Sequence, residues 1–122
     1  MKKLLTNLSK SLALIGVLAL FMTAVESNAA VKNVLIEEQT GTWCGYCPDG
    51  AAILQGIINK YPGRVIGVAW HNGSSDPMTL PEQSQFAQYY GVSGYPNAVI
   101  DRRPWGGKYS HSRGVWENYA VQ

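Results

Sequence analysis

The 122-residue sequence is short of several things at once: two cysteines, two histidines, two phenylalanines, and no marked excess of either charge, with ten Lys and Arg against eight Asp and Glu. It has no low-complexity tract, and 15% of its residues are charged, which excludes a disordered tail or a collagen-like fibre. The length leaves room for one small domain and not two. The longest apolar stretch, Leu12 to Val25, has 14 residues, whereas a membrane-spanning helix needs about 20. The two histidines, His71 and His111, stand far apart without the paired spacing of a metal motif.

What is present at the N-terminus is an address. Lys2, Lys3 and Lys10 precede the apolar stretch, and Ser27-Asn28-Ala29 supplies small residues suited to signal peptidase. Residues 1–29 are therefore expected to be a signal peptide and 30–122 the folded domain. An uncleaved membrane anchor is the alternative, and the length of the apolar stretch argues against it. The absence of a Cys directly after that stretch argues against an acylated-Cys anchor. Removing the three Lys and Glu26 with the leader leaves seven basic and seven acidic residues, a formally neutral domain. Neutrality removes the case for a nucleic-acid partner, because phosphate recognition needs several clustered cations. Arg102, Arg103, Lys108 and Arg113 do fall in one acid-free stretch with Trp105 and Tyr109, and they read as a solvated hairpin whose cations keep an edge strand soluble.

The domain reads as alternating strand and helix. Val31 to Glu38 is a short run of branched apolar residues, the first strand. Ala51, Leu54 and Ile58, with Ile53, Ile57 and Tyr61, repeat at helical spacing between Cys47 and Tyr61, and Pro62-Gly63 stops that helix. Val65 to Trp70 is continuously apolar, the pattern of a parallel strand covered on both faces. After the turn residues of His71 to Met78, Thr79 and Glu82 have capping-box spacing ahead of a second helix with Phe86, Tyr89 and Tyr90 on its apolar face, ended by Gly91. Ala98 to Ile100 predicts a strand, Gly106-Gly107 a turn, Lys108 to Ser110 a weak partner strand, and Val115 to Ala120 a final helix. The sum is an α/β fold with a mixed central sheet flanked by helices.

The chemistry lies in Trp43-Cys44-Gly45-Tyr46-Cys47-Pro48, which holds both cysteines at the hand-over from the first strand to the first helix. A Cys pair of this spacing inside a βαβ unit reads as a thiol–disulfide redox site. The helix N-terminus offers unpaired backbone N–H groups and the positive end of the helix dipole, and both favour thiolate at Cys44. Lowering a thiol from about 8.5 to about 7 corresponds to about 2 kcal/mol of added thiolate stabilisation. Cys47, one turn on, is placed to attack a mixed disulfide.

These residues resemble the active-site motif of the thioredoxin superfamily, with Tyr46 where thioredoxin itself has Pro. The resemblance extends over nearly the whole of 30–122. Tyr90-Gly91-Val92-Ser93-Gly94-Tyr95-Pro96 resembles the segment that carries the family's cis-proline, especially that of protein disulfide isomerases. The likeness implies a thioredoxin-like fold, a cis Pro96 beside the Cys pair, and substrate binding by Tyr95 and Pro96 together with Trp43 and Tyr46. It also implies that Glu38, six residues before Cys44, is the buried carboxyl that accepts the proton of the second Cys. Strand alternation lets only one of Glu37 and Glu38 point inward, and the alternative is that both line an exposed strand end. A narrower likeness joins Glu37 to Pro48, His71-Asn72-Gly73 and Tyr95-Pro96 to the thioredoxin-like part of the Omp-twenty-eight-related outer membrane proteins, which are generally longer. That likeness implies an envelope location, in the periplasm or peripherally at the outer membrane. A domain this small and mixed cannot itself be a spanning barrel.

His71, at the end of the second strand, is a candidate auxiliary residue for stabilising the Cys44 thiolate or shuttling a proton, against the plainer reading of a solvated loop histidine. Three functions follow. The first is an exported thiol–disulfide oxidoreductase acting on protein thiols, disulfides or a redox partner, with no cofactor beyond its own disulfide. The second is an envelope binding module with a static disulfide and an aromatic surface of Trp43, Tyr46 and Tyr95. The third is a metal carrier using Cys44, Cys47, His71 and His111.

Overall fold

The computed structural model describes residues 32–122, so the expected signal peptide lies outside the described residues. Strand β1 (Val34–Thr40) is followed by helix α1 (Cys47–Lys60), strand β2 (Val65–His71), helix α2 (Gln83–Tyr89), strands β3 (Asn97–Ile100) and β4 (Ser110–Ser112), a 3-10 turn at Arg113–Val115 and helix α3 (Trp116–Ala120). The sheet order is β2-β1-β3-β4, with β1 and β2 parallel and the other two pairings antiparallel. A βαβ half and a ββα half thus share one mixed sheet, the thioredoxin-like α/β arrangement.

Register divides the sheet into two faces. Val34, Ile36 and Glu38 share one face with Val65, Gly67 and Ala69 of β2 and with Ala98 and Ile100 of β3. The apolar core is on this face: Leu54 and Ile57 of α1 and Trp116 and Ala120 of α3 are buried with Val34, Ile36, Val65, Ala98 and Ile100. Pro48 sits at the start of α1, where its missing N–H interrupts no helical hydrogen bond. Gly63, at φ +72°, lets the chain leave the helix for β2.

The opposite face is held by polar contacts. Glu37 is 2% exposed, and its carboxylate accepts two hydrogen bonds from the Arg102 guanidinium at 2.7 and 2.9 Å and one from the Trp70 indole at 3.2 Å. Gln83 of α2 donates to the Gln39 side chain at 2.6 Å, and Phe86 stacks on Trp70. Glu37 and Glu38 are therefore both buried, one on each face, which corrects the expectation that only one of them points inward. Alternation was sound, but α2 covers the second face at this end of the sheet.

Other boundaries also move. β1 starts at Val34 and runs on to Thr40, because its pairing with β2 continues to Thr40 opposite His71. β2 is an edge strand with Ile66 and Val68 exposed, not a strand covered on both faces. The Thr79–Glu82 capping box does not form: α2 begins at Gln83, and the Thr79 hydroxyl donates instead to the Gly73 carbonyl at 2.9 Å. Tyr89 is 76% exposed, so the buried row of α2 is Gln83 and Ala87. The weak partner strand falls at Ser110–Ser112 after a turn in which Gly106 and Gly107 both have positive φ. Two cations of the acid-free stretch find partners from elsewhere in the chain, Arg102 on Glu37 and Arg113 on Asp49, while Arg103 lies over the Trp105 ring.

Candidate functional site

β1 ends beside the start of α1, and two successive turns make the connection: the Cys44 N–H donates to the Gly41 carbonyl at 3.0 Å and the Cys47 N–H to the Cys44 carbonyl at 3.2 Å. Cys44 and Cys47 form a disulfide with their Cα atoms 5.4 Å apart. Cys47 is the first residue of α1, so Cys44 stands in the turn ahead of the helix, at its positive end. Cys44 is 9% and Cys47 3% exposed, which leaves Cys44 the outer of the two.

The disulfide lines an open cavity of about 280 Å³ together with Glu38, Thr40, Gly41, Thr42, Pro48, Ala51, Ala69 and His71. Three sequence-predicted groups, the Cys pair, Glu38 and His71, therefore meet at one place. A larger depression of about 450 Å³ lies elsewhere, lined by Tyr89, Tyr90, Lys108 and Tyr109 among others, and contains none of the expected site residues.

Glu38 is 2% exposed, and its Oε1 has no hydrogen-bond partner among the described residues. Burial without compensation pushes its carboxyl up to about 7, against a smaller opposing effect of the His71 charge. The close approach that buries it depends on Gly50 of α1. A Cβ at Gly50 would lie 2.6 Å from Glu38 Oε1 and 2.7 Å from Cβ of Pro96. Gly50 is thus the point where β1, α1 and the Tyr95–Pro96 segment come together. The Tyr95–Pro96 bond is cis.

The third wall comes from the loop after β2. Asp76, its side chain fully covered, accepts hydrogen bonds from the backbone N–H of Thr42 at 2.8 Å and of Met78 at 2.9 Å, and from His71 Nδ1 at 2.8 Å. Burial would raise the Asp76 carboxyl, but these hydrogen bonds and the neighbouring imidazole outweigh it and hold it at about 2. The Trp43 indole donates to the Asn72 carbonyl, and the Asn72 amide donates to the Tyr95 hydroxyl. Trp43 and Tyr95 also meet edge to face, with ring centroids 5.2 Å apart. Trp43 is 51% and Tyr46 72% exposed, so both present aromatic surface beside the disulfide. Tyr46 lies under the Arg113 guanidinium.

Asp76 and Gly50 escaped sequence reasoning, and Asn72 entered it only within a motif, without a role. The Asp-Pro pair five residues after a strand-ending His was a signal for Asp76, but it read only as turn chemistry. His111 is not part of the site: its Nε2 faces the Lys108 carbonyl at 2.8 Å and its ring packs on Tyr119. Among the described residues no group of three or more His, Cys, Asp or Glu is placed to hold a metal ion, so the four-ligand set is not assembled. No described helix is long and apolar enough to cross a membrane.

Two outcomes follow for this packing. In an exposed helix Gly→Ala gains up to about 1 kcal/mol, whereas Gly50→Ala is expected to lose at least about 1 kcal/mol through overpacking against Pro96, read by urea unfolding. Glu38 holds its proton more tightly in the folded chain, near 7, than at its ordinary 4.5. Folding stability of the oxidised chain should therefore fall as pH rises from about 4.5 to about 7 and then level, a total of about 3 kcal/mol at about 1.4 kcal/mol per unit. Urea titrations across that range should lose this slope in Glu38→Gln.

No family model and no curated protein matches the chain. Among solved structures it is similar to HBP35 of Porphyromonas gingivalis, with 26% identity and a TM-score of 0.60 over 76% of this chain and 33% of that one. The chain thus spans about a third of the length of HBP35. A protein of Agrobacterium tumefaciens shares the fold at 21% identity and a TM-score of 0.50, over 76% of this chain and 46% of its own.

Proposed function

We propose that the chain is an exported thiol–disulfide oxidoreductase of the thioredoxin superfamily, with kinship to the Omp-twenty-eight-related outer membrane proteins. The observation that carries this reading is the shared cavity. A vicinal Cys pair at a strand-to-helix junction stands over a buried carboxyl that changes protonation near neutral pH. A disulfide kept only for stability has no use for such a group, which costs folding free energy wherever it is ionised.

In the reducing direction the Cys44 thiolate attacks one sulfur of a substrate disulfide. A Cys44–substrate bond forms, and the other substrate sulfur leaves as a thiolate that takes a proton from solvent. Glu38, as carboxylate, then removes the Cys47 proton. The Cys47 thiolate attacks Cys44 Sγ, the Cys44–Cys47 bond forms, and the second substrate sulfur is released and protonated. Two electrons pass from the Cys pair to the substrate, and the same steps in reverse oxidise a substrate dithiol. Trp43 and Tyr46 offer exposed aromatic surface to an extended polypeptide, and the superfamily resemblance assigns its backbone to Tyr95-Pro96. Export into an oxidising compartment, expected from residues 1–29, suits this chemistry.

Reduced Cys47→Ser mixed with insulin is expected to give an adduct on non-reducing gels that dithiothreitol dissolves and that Cys44→Ser does not form. No adduct, with a wild-type pair that stays oxidised in strong thiol, would instead identify a binding module with a static disulfide.

A further inference from the structure

A proton that stays on Glu38 can return to the Cys47 thiolate before that thiolate attacks, and Glu38 is almost wholly shut off from solvent. Its Oε1 has no hydrogen-bond partner among the described residues, so no neighbouring donor or acceptor there drains it. One residue of the same cavity has both the chemistry and the access to do so. His71 lines the cavity with Glu38, Cys44 and Cys47, and 20% of its side-chain surface is exposed. Its Nδ1 is engaged by Asp76 at 2.8 Å. Asp76 is in turn fixed by the Thr42 and Met78 N–H groups. A carboxylate acceptor on Nδ1 sets that nitrogen as the N–H of the neutral ring and leaves Nε2 as the proton acceptor.

We propose that His71, fixed through Nδ1 by Asp76, is the proton outlet of Glu38: Nε2 takes up the proton that Glu38 has removed from Cys47 and passes it to solvent through the cavity. The proposal rests on the oxidoreductase reading. As Glu38 takes the Cys47 proton, and before Cys47 closes the disulfide, the carboxylic acid gives its proton to Nε2, directly or through water in the cavity. This restores the carboxylate and forms an imidazolium paired with Asp76, and release from Nε2 returns neutral His71. No electrons move in these steps. The titratable groups that contact the imidazole or share its cavity are Asp76 from the loop after β2, Glu38 from β1 and the Cys pair at the start of α1; Pro48 and Ala51 of α1 and Ala69 of β2, also in the cavity, carry no charge. Imidazole is the side chain suited to exchanging protons at neutral pH. Asp76 stays ionised throughout that range and is a positioning residue, holding the ring and stabilising its charged form.

The test separates attack from resolution. Reduced protein and one equivalent of 5,5′-dithiobis(2-nitrobenzoic acid) release thionitrobenzoate twice, first when Cys44 attacks and again when Cys47 resolves, and stopped flow reads both. His71→Asn keeps an N–H for Asp76 at the place of Nδ1 but cannot relay a proton, so a merely structural role survives it. At pH 7 the first release should stay within about twofold of wild type and the second should slow about tenfold or more. Added imidazole, or raising the pH to about 9 where solvent base suffices, should restore the second. Should His71→Asn fail to fold, His71→Gln, which puts its amide at the place of Nε2 and likewise cannot relay a proton, is read for the second release and its rescue by imidazole or high pH. A second release at the wild-type rate, or a slow one that neither imidazole nor high pH relieves, would overturn the relay. A wild-type protein that releases no thionitrobenzoate would instead overturn the oxidoreductase reading itself.

Discussion

A carboxyl that has no hydrogen-bond partner on one of its oxygens among the described residues, enclosed between a strand and a helix, is the constraint around which this domain is arranged. Enclosing Glu38 opposes folding whenever the group is ionised, so the surroundings must force it in. Apolar packing supplies that force: α1 and α3 bury Leu54, Ile57, Trp116 and Ala120 against the same face of the sheet on which Glu38 lies. The absence of a side chain at Gly50 lets Pro96 and Glu38 both reach α1. The domain thus holds beside its disulfide a group whose protonation changes near neutral pH.

The other side of the site is built from a loop that has little apolar content. Asp76 ties that loop to the Cys-bearing turn through the Thr42 N–H, Asn72 ties it to Trp43 and Tyr95, and the Asn72 N–H extends the strand pairing to the Thr40 carbonyl at 3.0 Å. Gly41 and Gly73 admit the Trp43 indole between them, since a Cβ on either would collide with it. Trp43 therefore has two roles, fastening the loop with its ring nitrogen and offering its exposed surface beside the disulfide. Glu37 and Arg102 do the corresponding work on the far face, where a half-exposed guanidinium closes an ion pair on the buried Glu37 carboxylate, which the Trp70 indole also reaches. Burial of both glutamates follows from two unlike environments, Glu37 paired with Arg102 and Glu38 enclosed against Gly50 of α1.

Much of the fold was legible because its signals are local. The helical spacing of Leu54 and Ile57, the Pro62-Gly63 stop, the strand at Ala98–Ile100 and the Cys pair at a strand-to-helix junction each depend on a few neighbouring residues, and the structure has them in place. The errors arose where distant elements decide. Val65 to Trp70 is apolar enough for the middle of a sheet, yet β2 is an edge, because strand order is set by which later strand joins β1. Glu37 was placed in competition with Glu38 because coverage of the second face depends on α2, which begins only at Gln83. Thr79 had the residue type and spacing of a helix cap and was taken by the Gly73 carbonyl instead. In the site, Cys44 and Cys47 stood out by type and spacing, His71 by its place at a strand end and Glu38 through the resemblance, whereas Gly50 and Asp76 act through close approach and buried hydrogen bonds that only the assembled fold creates.

The claim that joins these parts is that the Cys44–Cys47 disulfide is exchanged in use and is not a fixed brace. Its reduction potential against glutathione at pH 7 tests this most directly. The account predicts a value within the range of about −270 to −120 mV spanned by dithiol oxidoreductases, where the pair is readily cycled. A value below about −300 mV, as structural disulfides have, would contradict it.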